Sequence, residues 1–324
     1  MSNRKVFLAF IGALTLNACS FGQSVPPNDH PPSFDDAFWR HWGDGQAELA
    51  GYDLRRMRYK EERRGHAVAI FVTEEFSDRL RVKADPGNHP ADDTFPVMKL
   101  NHIERFQTGV YDYHLMTSAF VALADGHGRG RGTPSKISFS SQEWCGQMYG
   151  QMLFDNAGIR LSSHSYFDGE ADSNTLLDFP QNGLSEDVLL LWARGLAAPV
   201  VKAGETLKAP FLPGLATTRL NHTPPIWQTV ELSHRDKGER ITVPAGEFSV
   251  VTLEARADDG RTWRYDVEKA WPHRIIRWLT GDGEVAELRG VRRMKYWERT
   301  HEGDEALLRD IGLTPPTKAV DKTP

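Results

Sequence analysis

The chain is poor in cysteine: of 324 residues only Cys19 and Cys145 are cysteines. A disulfide framework and a Cys-rich zinc site are thereby excluded. H-E-x-x-H, H-x-H and C-x-x-C motifs are all missing, so the twelve histidines form no recognisable ligand set, and neither a metal site nor a cofactor is expected. No run reaches the 18 or so apolar residues that a membrane-spanning helix requires. Neither sign of charge dominates. With 39 basic and 44 acidic residues the net charge is -5, which argues against a nucleic-acid partner. A phosphate-binding loop is lacking too. The glycines at 126, 128, 130 and 132 sit between two strand-like runs rather than before a helix, so they read as a hairpin connection. Arg129 and Arg131 inside it are candidates for touching an anionic headgroup.

What is present begins at the N-terminus. Arg4 and Lys5 precede an apolar run from Val6 to Leu16, which ends in Leu16-Asn17-Ala18-Cys19. About eleven apolar residues are too few to span a bilayer of ~30 Å but suit a signal-peptide core. The last four residues resemble a bacterial lipobox. That resemblance implies cleavage after residue 18, lipid on Cys19, and a membrane partner reached through that lipid. Ser20 after the cysteine implies the outer membrane, with the protein facing the periplasm or the cell surface. Loss of residues 1–18 leaves 37 basic against 44 acidic residues, a net charge of -7. Residues 19–32 are polar and proline-rich and read as a tether.

The body, 33–312, shows mainly strand signals. β-Branched and aromatic runs cover 66–76, 95–103, 109–124 and 136–144. Further runs at 248–257, 261–267, 275–279, 285–288 and 294–297 are separated by Asp-Gly and Gly-Asp-Gly turns. The expected fold is mainly β: an antiparallel meander forming one large curved, half-barrel-like sheet or two packed β units, divided near 33–155 and 185–312. Three short helices are expected, one capped by Ser33, one over 185–194 and one over 304–311. Residues 313–324 read as a disordered tail.

Candidate chemistry centres on Ser140-Ser141-Gln142-Glu143-Trp144-Cys145-Gly146. Cys145 is the candidate nucleophile, set against the reading of a buried, inert thiol at a strand end. Nine tryptophans are spread along the chain; they read as large core residues of a wide sheet or, alternatively, as the lining of an apolar concavity for a hydrophobic or envelope-derived ligand. Glu143, Trp144, Tyr111, Tyr113 and Trp263 are its candidate lining.

Residues 38–49 (FWRHWGDGQAEL), 81–86 (RVKADP), 106–113 (FQTGVYDY) and 138–146 (SFSSQEWCG) resemble an uncharacterised family of bacterial lipoproteins. Its members are often labelled septum formation inhibitor Maf. Separately, Val243-Pro244-Ala245-Gly246-Glu247-Phe248 and the hairpins of 261–288 resemble periplasmic domains of unknown function built from curved sheets. Neither resemblance supplies a catalytic residue. Three functions are thus in play. The first is a lipid-anchored, non-enzymatic envelope module that binds a ligand or partner. The second is an envelope hydrolase using Cys145 or a carboxylate. The third, which the Maf label implies, is a nucleotide pyrophosphatase, although the S-x-S-x-R-R signature of such enzymes is missing from this chain.

Overall fold

The computed structural model describes Pro31 and residues 33–316. The expected signal peptide, Cys19, the rest of the tether and residues 317–324 of the tail lie outside the described residues. Eight strands form the first meander: β1 (Ala47–Arg58), β2 (Glu61–Ser77), β3 (Thr94–Thr108), β4 (Tyr111–Ala122), β5 (Pro134–Glu143), β6 (Gly146–Asp155), β7 (Gly158–Ser165) and β8 (Ser173–Leu177). The chain then crosses to the opposite edge. There β9 (Leu184–Ser185), β10 (Thr206–Leu212), β11 (Gln228–Val243), β12 (Gly246–Ala257), β13 (Thr262–Glu268), β14 (Ile275–Thr280) and β15 (Val285–Met294) lead back to the centre. β15 pairs with β1, so both meanders share one open 15-stranded sheet with β8 and β9 at its edges. The mainly β fold is as the strand signals indicate. One pair departs from the antiparallel meander: β9 and β10 are parallel, because the segment between them returns to the same end of the sheet before β10 begins.

The sheet curls around a helical segment. Helix α1 (Asp36–Trp42) precedes β1, α2 (Leu189–Ala193) follows a 3-10 turn at Glu186–Val188, and α3 (Leu215–Asn221) follows β10. The N-cap of α1 is Asp35 rather than Ser33. Its carboxylate accepts from the Phe38 N–H at 2.8 Å and satisfies a first-turn donor. Residues 296–298 are a 3-10 turn rather than a strand, and 304–311 form a 3-10 helix.

All five α2 residues (Leu189, Leu190, Leu191, Trp192 and Ala193) are buried, so the helix has no solvent face. They belong to one apolar core with residues of both meanders, among them Tyr52, Leu100, Phe139, Phe211, Trp263 and Ile276. The convex side carries a smaller core of Ala47, Leu49, Ile70 and Val72 under Ile311. There Gly51 stands opposite Gly290, and the C-terminal 3-10 helix lies so close that a Cβ on either would collide with its backbone. Leu313 packs on the same small core, so this first part of the expected tail is tied down.

Arg194, just after α2, forms a buried ion pair with Glu48 of β1 at 2.6 Å, their side chains 1% and 2% exposed. The guanidinium also donates to the Pro272 carbonyl at 3.0 Å and packs over the Trp42 and Phe71 rings. One side chain thus links the helical plug, β1, α1 and the β13–β14 connection. Removing one partner of such a pair strands the other charge out of water. Glu48→Gln is expected to cost roughly 3 to 5 kcal/mol in urea unfolding. The double variant Glu48→Leu/Arg194→Met should lose clearly less; an equal or larger loss would show that the pair itself, rather than the stranded charge, matters.

Candidate functional site

Strand alternation and register bring the candidate site together. On β3, His102 and Glu104 are two residues apart and share a face. His102 stands opposite Thr117 of β4, which stands opposite Phe139 of β5. In the second meander Trp263 and Tyr265 of β13 face Thr280 and Trp278 of β14. Curling of the sheet turns both rows inward. Together with Arg56 near the end of β1, the turn at Glu186–Asp187, the start of α3 and the β14–β15 turn, they enclose a cavity of about 150 Å³.

Its polar lining is tightly knit. Arg56 bridges Glu104 and Glu284, reaching the latter at 3.0 Å. Burial works against the Arg56 charge, but these two carboxylates outweigh it and hold the guanidinium firmly protonated. Glu284 also accepts from the Trp278 indole N–H at 2.7 Å. Burial, helped by Glu104, still pushes the Glu284 carboxyl up to about 7 against the pull of Arg56. Across the cavity Arg261 donates to Glu186 at 3.1 Å, and the Thr217 hydroxyl donates to the same carboxylate at 2.7 Å. Asp187 accepts from the Leu215 N–H at 3.1 Å and the Ser185 hydroxyl at 3.1 Å. It has no basic partner among the described residues. Burial, with Glu186 beside it, pushes Asp187 up to about 7. His102 Nε2 stands 3.5 Å from Glu104 Oε1 without forming a hydrogen bond, and burial holds the imidazole below its ordinary value.

A carboxyl held near neutrality between a bridged guanidinium and aromatic walls can accept or give a proton, or can neutralise a bound cation. Among the described residues, no group of three or more His, Cys, Asp or Glu side chains is placed to hold a metal ion.

The residues singled out from the sequence separate into two places. Trp263 is part of the cavity wall. Tyr111, Tyr113 and Glu143 instead meet around the β1–β2 turn. There the Tyr59 hydroxyl lies 2.7 Å from that of Tyr113 and accepts from Tyr111 at 3.1 Å. Glu143 is buried against Arg219 of α3 at 2.7 Å. Trp144 and Cys145 form the exposed two-residue turn between β5 and β6, Trp144 being 75% exposed. The reading of Cys145 as a buried thiol is therefore corrected: β5 ends one residue before Trp144, and the turn carries the thiol into solvent. Arg129 is not free for a headgroup, since its guanidinium is buried against Asp78 and the Phe154 carbonyl. The apolar concavity inferred from the tryptophans is occupied by α2 and its neighbours, and the space left beside it combines charged side chains with apolar walls from Leu115, Phe139, Leu190 and Trp278.

Arg56, His102, Glu104, Glu186, Asp187, Arg261, Trp278 and Glu284 were not singled out by sequence reasoning. Period-two spacing could have flagged His102 with Glu104 and Trp278 with Thr280. Glu186 and Asp187 read only as first-turn helix charges. In comparisons with known proteins, no family model and no curated protein matches the chain.

The raised Asp187 carboxyl makes folding pH-dependent. Its folded-state value lies above its unfolded one, so its contribution is complete below about pH 4 and is lost as pH rises through about 7. Asp187→Asn, which keeps an accepting oxygen for Leu215, should gain stability relative to wild type by up to ~4 kcal/mol between pH 4 and pH 8. Thermal unfolding of both proteins across that range checks it, and a flat difference would show that Asp187 is not held protonated.

Proposed function

We propose that the protein is a lipid-anchored envelope component that binds a small polar ligand in the cavity between its two meanders. The cavity carries the reading: about 150 Å³, lined from both halves of the sheet by charged and aromatic side chains. Space of this kind supports a binding reading, since a few convergent polar groups can fix a ligand against aromatic walls. Anchoring and an outer-membrane location are supported by the lipobox-like Leu16-Asn17-Ala18-Cys19 and by Ser20. The ligand is read as polar rather than hydrophobic because the apolar space in the concavity is already filled by α2.

The hydrolase reading keeps support in one form only. Asp187, at about 7, has the proton affinity of a general acid working near neutral pH. Its thiol form draws no support from the site, since Cys145 lies in an exposed turn.

The ligand reading is tested on wild type and on Ala216→Trp, whose indole would fill the cavity from α3. Protein extracted from membranes, washed and then denatured should release a small molecule detectable by mass spectrometry from wild type only. The anchor is tested separately. Intact mass should show diacylglycerol-derived lipid on the mature N-terminal cysteine, and Cys19→Ser should move the protein into the soluble fraction. Release of nothing from wild type, or equal release from the filled variant, would remove the ligand reading and leave the anchor untouched.

A further inference from the structure

The charges lining the cavity do not balance. Five carboxylates face it, from Glu104, Glu186, Asp187, Asp282 and Glu284, against the guanidiniums of Arg56 and Arg261. Both guanidiniums are already engaged, Arg56 by Glu104 and Glu284 and Arg261 by Glu186 and Asp259. An anion entering the cavity would therefore have to displace a carboxylate to find a positive partner. Asp187 is bonded only by neutral donors, and Glu284 shares its single guanidinium with Glu104. The walls add a second, independent feature. His102 Nε2 is buried without a hydrogen-bond partner, and Trp263 and Trp278 flank the same space. The Trp263 ring already has the Arg261 guanidinium 5.2 Å from its centroid, which shows this wall attracting a cation, and an unpartnered imidazole nitrogen is free to exchange a hydrogen bond with a ligand.

From this arrangement we propose that the cavity selects a small organic ammonium compound, such as an amino alcohol, whose cationic nitrogen is neutralised by Asp187 and Glu284 within the aromatic walls of the cavity. The proposal rests on the reading of the cavity as a ligand site. A cavity of 150 Å³ matches the space known to hold a single benzene ring, so the enclosed part of the ligand has about six heavy atoms. A bound cation also makes binding give up protons. Asp187 is faced by Glu186, by the Ser185 hydroxyl and by the Leu215 N–H. Glu284 is faced by Arg56, Glu104, Asp282 and Trp278. The Asp187 set supplies no positive charge and the Glu284 set only a guanidinium shared with Glu104, so an arriving ammonium group adds the charge that drives a proton off to the buffer.

The probes are ethanolamine, ethylene glycol and acetate, matched in size and differing in charge, titrated calorimetrically into the dialysed full-length mature protein at pH 7. Ethanolamine is expected to bind at least tenfold more tightly than the other two. Its apparent enthalpy should vary with the ionisation enthalpy of the buffer in the sense of proton release. Asp187→Asn should cut the preference to less than threefold while its thermal transition stays cooperative, and Ala216→Trp should abolish binding. If ethylene glycol matches ethanolamine and Ala216→Trp removes both, the cavity is a binding site but charge selection is refuted. Tighter binding of acetate refutes it equally. If no probe binds, or binding survives Ala216→Trp, the cavity reading fails as well.

Discussion

A helix with no solvent face is the constraint from which the rest of the molecule follows. Leu189 to Ala193 are buried on every side, so α2 can exist only if apolar surface surrounds it. A flat sheet covers one side of a helix. Here the sheet curls, and the second meander packs on the side that the first cannot reach. The β1–β15 ladder makes this possible by joining strands from opposite ends of the sequence into one surface. The Glu48–Arg194 pair then fixes where along that surface the plug sits.

The same closure explains why charge is buried. Where two halves of a sheet turn toward one another, residues that would face water on a flat sheet face the opposite half instead. Arg56 of β1, Glu104 of β3 and Glu284 of the β14–β15 turn meet across neighbouring strands, far apart in sequence. Desolvation of such groups is costly, and the chain offsets it by sharing one guanidinium between two carboxylates. The offset is incomplete. Two carboxyls at about 7 in one cavity are a standing cost that apolar replacements would remove, and persistent costs of this kind cluster at functional sites.

What the sequence reveals divides along local and non-local lines. The run at 66–76 lies inside β2, and the alternation at 261–267 marks β13, because β-branched and aromatic residues carry those signals within one segment. Central strand β1 carries no such signal, since its buried residues include Ala50 and Gly51 and its second half is rich in arginine; its strand character comes from two paired neighbours. Helix α3 was missed for a related reason. Its N-cap is Gly214, and its first amides are satisfied by Glu186 and Asp187, some 28 residues away. The cavity was hidden because its residues are drawn from seven or more segments whose meeting depends on curvature. No spacing rule could place Glu284 beside Glu104.

Topology relates the anchor to the cavity. Helix α1 feeds the first residue of β1, so the tether joins the body at the end of the sheet where β1 begins. The β14–β15 turn that lines the cavity lies at the other end, because Val285 pairs with Arg55 near the close of β1. Twelve strand residues at about 3.3 Å each separate the two ends by roughly 40 Å. With the proposed lipid on Cys19, residues 20–32 reach at most ~45 Å, so α1 is the end of the body kept within tether length of the bilayer and the cavity-lining turns are free to lie farther out. A ligand approaching through the aqueous compartment would meet those turns first, and an ammonium compound dissolved in that compartment suits such a geometry better than an acyl chain held in the membrane. Polarity of the cavity and the aqueous setting that the proposed anchor implies thus agree, although the first rests on β3, β13 and the β14–β15 turn and the second on Leu16-Asn17-Ala18-Cys19.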